Sequence, residues 1–189
     1  EQVQDNHGLP DPEGDIRPLS VLTHLDRHDR LVLLGDPGSG KSTFVNFVAL
    51  CLAGEGLKHE GSNLRRLTAP LPMPDDDEER VSQTWSHGSV LPLSVGLRDF
   101  AARGLPEPGQ KGTAQHLCDF VEAELISAGL GDYVDALWHH LREKGGLLLL
   151  DGLDEVPATD VQGIQIKQVV EDFAVAYPSC RVLVTSRPS

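Results

Sequence analysis

The sequence predicts an α/β fold, a mainly parallel sheet with helices covering both faces in three layers. Three observations point to it. Short apolar runs recur along the 189 residues as "RLVLLG", "VLPLSV", "LLLL" and "RVLVTS", and such runs are the mark of strands buried on both faces. Segments with apolar residues at helical spacing lie between them. The first run leads straight into a glycine-rich turn, while the third ends in the acids of "DGLDE", at the edge where open parallel sheets bind ligands.

The elements follow in chain order. Residues 1–17 are polar and rich in Pro and Gly, a lead-in or linker, and one domain spans 18–189. Behind Pro18, a suitable first-turn residue, Leu19, Leu22 and Leu25 have helical spacing. "RLVLLG" is the first strand, and a helix is expected from Lys41 to Ala53, stopped by Gly54. Residues 55 to 89 read as irregular, with a solvated acidic run at Asp75–Glu79. "VLPLSV" at 90–95 is the second strand. Two amphipathic helices come next, one carrying Leu117, Phe120, Val121 and Leu125, the other Val134, Leu137, Trp138 and Leu141. Gly145 and Gly146 end the second, and "LLLL" makes the third strand. Thr159 or Asp160 can cap a helix with Val161, Ile164, Val169, Val170 and Phe173 on one face, broken by Pro178 before the fourth strand.

Composition narrows the function classes. Hydrophobic residues make up 39% and charged ones 24%, so a folded core is expected rather than disorder. A net charge of -13 argues against a nucleic-acid backbone or an anionic membrane as partner. Cys51, Cys118 and Cys180 are far apart in apolar segments and read as buried free thiols of a reducing compartment. His139 and His140 have no companion cluster at metal-ligand spacing. With no signal peptide and no apolar run of spanning length, the chain reads as cytoplasmic. It lacks an initiator Met and ends after "TSRPS", as a piece of a longer protein would.

The strongest signal is "GDPGSGKST", a full match to G-x-x-x-x-G-K-[ST] over Gly35–Ser42. Strand before and helix after are the context this phosphate-binding P-loop requires. Gly35, Asp36, Pro37, Gly38, Ser39 and Gly40 would curl the backbone so that successive N–H groups form an anion nest, closed by Lys41, Ser42 and Thr43 at the helix N-terminus. Lys41 would reach the β- and γ-phosphates. The Ser42 hydroxyl would ligate Mg²⁺, as would Asp151, directly or through water, because Mg²⁺ keeps several waters and uses few carboxylates. These features make the fold a P-loop NTPase sandwich.

A glycine, Gly152, follows the metal aspartate where many P-loop ATPases place the water-activating glutamate. The acids Asp154 and Glu155 come three and four residues after Asp151. This hhhhD-[GAS]-h-D-E pattern resembles the NACHT family, within the STAND class of signalling NTPases. "RPLSVLTHLDRHDRLVLLGDPGSGKST" resembles that family's entry into its P-loop, "LPLSVGLRDFA" its second strand, and "RVLVTSRP" its sensor strand with Arg187 at the sensor position.

The resemblance covers residues 18–188 and implies a slowly hydrolysing, nucleotide-gated switch. It implies the strand order 5-1-4-3-2, the fifth strand lying outside this chain, and Arg187 beside the γ-phosphate. Glu155 is then the residue that orients or deprotonates water, with Asp154 supporting it or a metal-bound water. ATP is the expected nucleotide, GTP the alternative. The implied partners are other domains of a parent chain, often of a bacterial defence or stress protein, and further copies on activation. A turnover enzyme, either a small-molecule kinase or a motor ATPase, is the competing reading, although no Arg-rich lid or arginine finger can be assigned. A scaffold with a vestigial P-loop is the third.

Overall fold

The computed structural model describes residues 20–71, 82–156 and 160–188. The lead-in, Pro18, Leu19, the acidic run and Thr159 lie outside the described residues. Four strands form one parallel sheet: β1 (Arg30–Leu34), β2 (Pro92–Gly96), β3 (Gly146–Asp151) and β4 (Cys180–Ser186). Their order is β1-β4-β3-β2. The expected sequence of neighbours 1-4-3-2 is therefore observed, with the sensor strand between the P-loop strand and the acid-tipped strand.

The central leucines explain the layering. Side chains alternate across a strand, so Leu147 and Leu149 join Leu183 on one face while Leu148 and Leu150 join Val182 and Val184 on the other. The first face is covered by α1 (Val21–Arg27), α2 (Lys41–Gly56) and α3 (Leu64–Leu67). The second is covered by α4 (Leu97–Arg103), α5 (Ala114–Ser127), α6 (Val134–Glu143) and α7 (Asp160–Ala176). β1 is the exception. Leu31 and Leu33 pack inward against the first layer, but Val32 and Leu34, on the other face, are 58% and 57% exposed.

Local chemistry sets the helix limits. The Ser20 hydroxyl accepts the Thr23 N–H and starts α1, whose Leu22 and Leu25 are buried. Gly54 does not stop α2, which runs two residues further and buries it. A Cβ at Gly54 would lie 1.9 Å from the Ser62 carbonyl oxygen, so this glycine serves close packing of a returning loop rather than a left-handed helix end. That loop forms α3, unforeseen in a stretch read as irregular. Asn63 caps it by accepting the Arg66 N–H at 3.1 Å. Residues 82–90 then strap the first layer together. Gln83 donates to the Leu67 and Ala69 carbonyls and accepts from Ser20, while Asp26 accepts from the Ser86 amide and hydroxyl.

The second strand begins at Pro92 rather than Val90, and it passes directly into α4. α5 and α6 bury the predicted apolar faces, with Leu125 and Leu137 partly buried at their margins. In α7 the predicted stripe is wrong at its start, because Val161 and Ile164 are 41% and 56% exposed. The inward face carries Ile166, Val169 and Phe173, and its beginning is polar for a reason. Gln165, itself buried, donates to the carbonyls of Pro106, Glu107 and Gln110 at 3.2, 3.1 and 2.9 Å. Gln168 accepts the Gly112 N–H and Asp172 the Ala114 N–H. What α7 meets there is loop backbone, whose buried polar groups need partners.

Candidate functional site

The site is assembled at the C-terminal ends of β1, β4 and β3. β1 leaves the sheet through Gly35, whose N–H still bonds to the Ser186 carbonyl at 3.2 Å. The loop reverses with Gly38 and Gly40 in the left-handed region, φ 79° and 89°, where side-chain-bearing residues are strained. Gly40 is the N-cap of α2 and offers no side-chain acceptor. Its carbonyl takes the Phe44 N–H at 2.8 Å, so the amides of Lys41, Ser42 and Thr43 precede the first intrahelical bond. Orphan donors at the positive end of a 16-residue helix are suited to an anion.

Lys41 lies within this loop. Its Nζ donates to the Gly35 carbonyl at 2.5 Å and the Asp36 carbonyl at 3.1 Å. Pro37 to Thr43 line a cavity of about 290 Å³ together with Asp151, Gly152, Asp154, Glu155, Thr185 and Arg187. Of the predicted cradle, only Gly35 and Asp36 stand back from the cavity, as the acceptors that hold Lys41 in place. All the other predicted site residues meet there.

The acid end of β3 shows why a glycine divides its carboxylates. Gly152 has φ 82°, ψ 50°, and a Cβ on it would meet the Glu155 carboxyl carbon at 3.2 Å. The left-handed turn redirects the chain into a short 3-10 turn over Leu153–Glu155, which brings Asp154 and Glu155 back to the cavity wall. A residue with a side chain at 152 would be strained in this turn and would crowd Glu155.

Sequence reading missed Thr185. It is fully buried near the end of β4, accepts the Gly152 N–H at 2.8 Å and donates to Asp151 Oδ1 at 2.5 Å. Its signal was available, as a hydroxyl ending the apolar run "RVLV" one strand away from the acids. Two residues on, Arg187 Nε pairs with Asp154 Oδ2 at 2.5 Å, the arginine half exposed and the aspartate mostly buried. This gives Asp154 a definite partner. Glu155 is exposed and its carboxylate has no hydrogen-bond partner among the described residues.

Ser42 and Asp151 line the same cavity as hard oxygen donors, one hydroxyl and one carboxylate. Among the described residues no group of three or more His, Cys, Asp and Glu could hold a metal ion. A two-ligand set suits Mg²⁺, which keeps most of its water and takes phosphate oxygens for the rest. The thiols lie elsewhere and are free. Burial raises the pKa of Cys51 and Cys118 and pushes that of Cys180 up to about 11, away from the thiolate that nucleophilic chemistry needs. No described helix is long and apolar enough to cross a membrane.

A comparison with protein-family models finds that residues 29–189 match the NACHT domain. No curated protein and no solved structure matches the chain.

Proposed function

The chain belongs to the NACHT family and is therefore a nucleotide-binding NTPase; from that premise we propose that it is a slow, Mg²⁺-dependent ATPase whose bound nucleotide gates a signalling protein. The observation that carries this reading is the convergence of Lys41, Asp151, Glu155 and the Asp154–Arg187 pair on one cavity. The backbone amides at the start of α2 bind the phosphates. Lys41 exchanges its two carbonyl acceptors for phosphate oxygens, a charge-assisted contact stronger than the one it leaves. Ser42 and Asp151 would hold Mg²⁺, which would supply neutralisation of phosphate charge. Glu155, without a hydrogen-bond partner among the described residues, orients or deprotonates the attacking water.

Arg187 is the part that distinguishes a switch from a turnover site. Its guanidinium is bound to Asp154, so a γ-phosphate must compete with a carboxylate for it. A diphosphate leaves the pair intact, whereas a triphosphate draws the arginine away and frees Asp154. The difference between those two arrangements is what neighbouring domains of a larger cytoplasmic protein would read on opening and assembling with further copies. GTP is the alternative nucleotide. A defence or stress role, in a bacterial parent, accords with the family.

Steady-state phosphate release with Mg²⁺-ATP and Mg²⁺-GTP tests the reading. A switch is expected to turn over well below the roughly 1 s⁻¹ lower end of ordinary enzymes, with ATP preferred. Sustained turnover above that rate would favour a kinase or motor.

A further inference from the structure

We propose that Thr185 is a positioning residue for the metal ligand: its hydroxyl fixes the orientation of the Asp151 carboxylate and locks the left-handed turn at Gly152 to β4. This rests on the metal role proposed above for Asp151. A hydroxyl has one proton to give and lone pairs to accept with. The Gly152 amide can only donate, and it occupies Thr185 Oγ1 at 2.8 Å. The hydroxyl proton is thereby directed to its other neighbour, Asp151 Oδ1, at 2.5 Å. The orientation of the bond is thus dictated by the backbone and does not depend on a choice of rotor.

Three consequences follow from that geometry. The bond ties down Oδ1 and leaves Oδ2 without a side-chain donor among the described residues, so the carboxylate presents one oxygen in a set direction. Thr185 is fully buried, so water does not reach the donor side of the bond to compete for it. The same strand ends in Arg187, two residues on, paired with Asp154. β4 therefore grips the acid-bearing turn at two points, and a shift of β4 that accompanies a change at Arg187 reaches Asp151 through Thr185. Partners of this kind, which orient a ligand without touching the metal, typically contribute 10–100-fold to metal affinity.

The test is titration of a fluorescent ATP analogue into the chain with Mg²⁺ and with EDTA, comparing the wild type with Thr185→Val, Thr185→Ser and Asp151→Asn. The readout is the gain in affinity that Mg²⁺ confers. Thr185→Val keeps the shape and loses the hydroxyl; it is expected to cut that gain about tenfold while leaving the affinity in EDTA within about twofold. Thr185→Ser restores the hydroxyl and should keep the gain. If Thr185→Val fails to fold, Thr185→Ala replaces it under the same criterion. A Mg²⁺ gain that survives loss of the hydroxyl, or affinities that fall equally with and without Mg²⁺, would overturn the role of Thr185 alone. A wild type with no Mg²⁺ gain, or an Asp151→Asn variant that keeps it, would overturn the metal role of Asp151 and this inference with it.

Discussion

Asp151, Asp154 and Glu155 stand within five residues of one another, yet each has a different neighbour and each should fail differently. Asp151 is bonded to Thr185, Asp154 to Arg187, and Glu155 to no side chain among the described residues. Asp151→Asn is expected to weaken Mg²⁺-dependent nucleotide binding, whereas Glu155→Gln should bind normally and release phosphate more slowly; equal hydrolysis rates for Glu155→Gln and wild type would remove that residue from the chemistry. Asp154→Asn releases Arg187 from its ion pair. It should narrow the discrimination between ATP and ADP, measured as the ratio of their dissociation constants, because the arginine is then available whichever nucleotide is bound. Lys41→Ala removes a charge-assisted contact and should cost about 1.5–3 kcal/mol of nucleotide binding, tenfold or more in affinity; an unchanged titration would sink the P-loop assignment.

At the scale of elements, the four strands were legible as short apolar runs bounded by turn residues, although only β3 and β4 owe theirs to burial on both faces, since β1 turns Val32 and Leu34 outward and β2 exposes Ser94. The P-loop was legible because its function dictates its spacing. What the sequence hid was tertiary in origin. Gly54 has the look of a helix stop, and only the Ser62 carbonyl, brought alongside by a loop, shows why a side chain is excluded there. α3 is a four-residue helix, too short for periodicity to register. Val161 and Ile164 fit an amphipathic pattern but face outward, since the inner surface at that end meets carbonyls and selects glutamines. The Thr185 bridge joins residues 34 apart, so the hydroxyl that closes "RVLV" shows what it holds only once β3 and β4 lie side by side. Gly54→Ala makes the difference measurable. Intrinsic helix propensity favours alanine by about 1 kcal/mol, yet overpacking against backbone costs about 1–3 kcal/mol. Urea unfolding should show a net loss of stability; a gain would mean the loop yields easily.

For the whole molecule, the sheet ends in β1 on one side and in β2 on the other. Among the described residues β1 pairs only with β4, so its outer N–H and C=O groups have no strand beside them. Val32 and Leu34 add apolar surface at the same place. An uncovered hydrophobic edge invites another chain. The 189-residue chain is expected to self-associate with rising concentration in sedimentation velocity, and Val32→Lys to reduce that tendency without altering nucleotide affinity. Concentration-independent monomers would show that the edge is covered.

The glutamines of α7 carry a consequence in time. The amides of Gly112 and Ala114 are bonded to the side chains of Gln168 and Asp172, although both lie at the end of a connector that would ordinarily exchange its protons within moments. Their hydrogen-exchange clocks should run at the pace of α7 itself, slowing or quickening with that helix rather than with the connector that leads into α5. Because α7 follows the acid-bearing turn in the chain, a nucleotide that stiffens that turn should be audible in the deuterium uptake of residues 106–114.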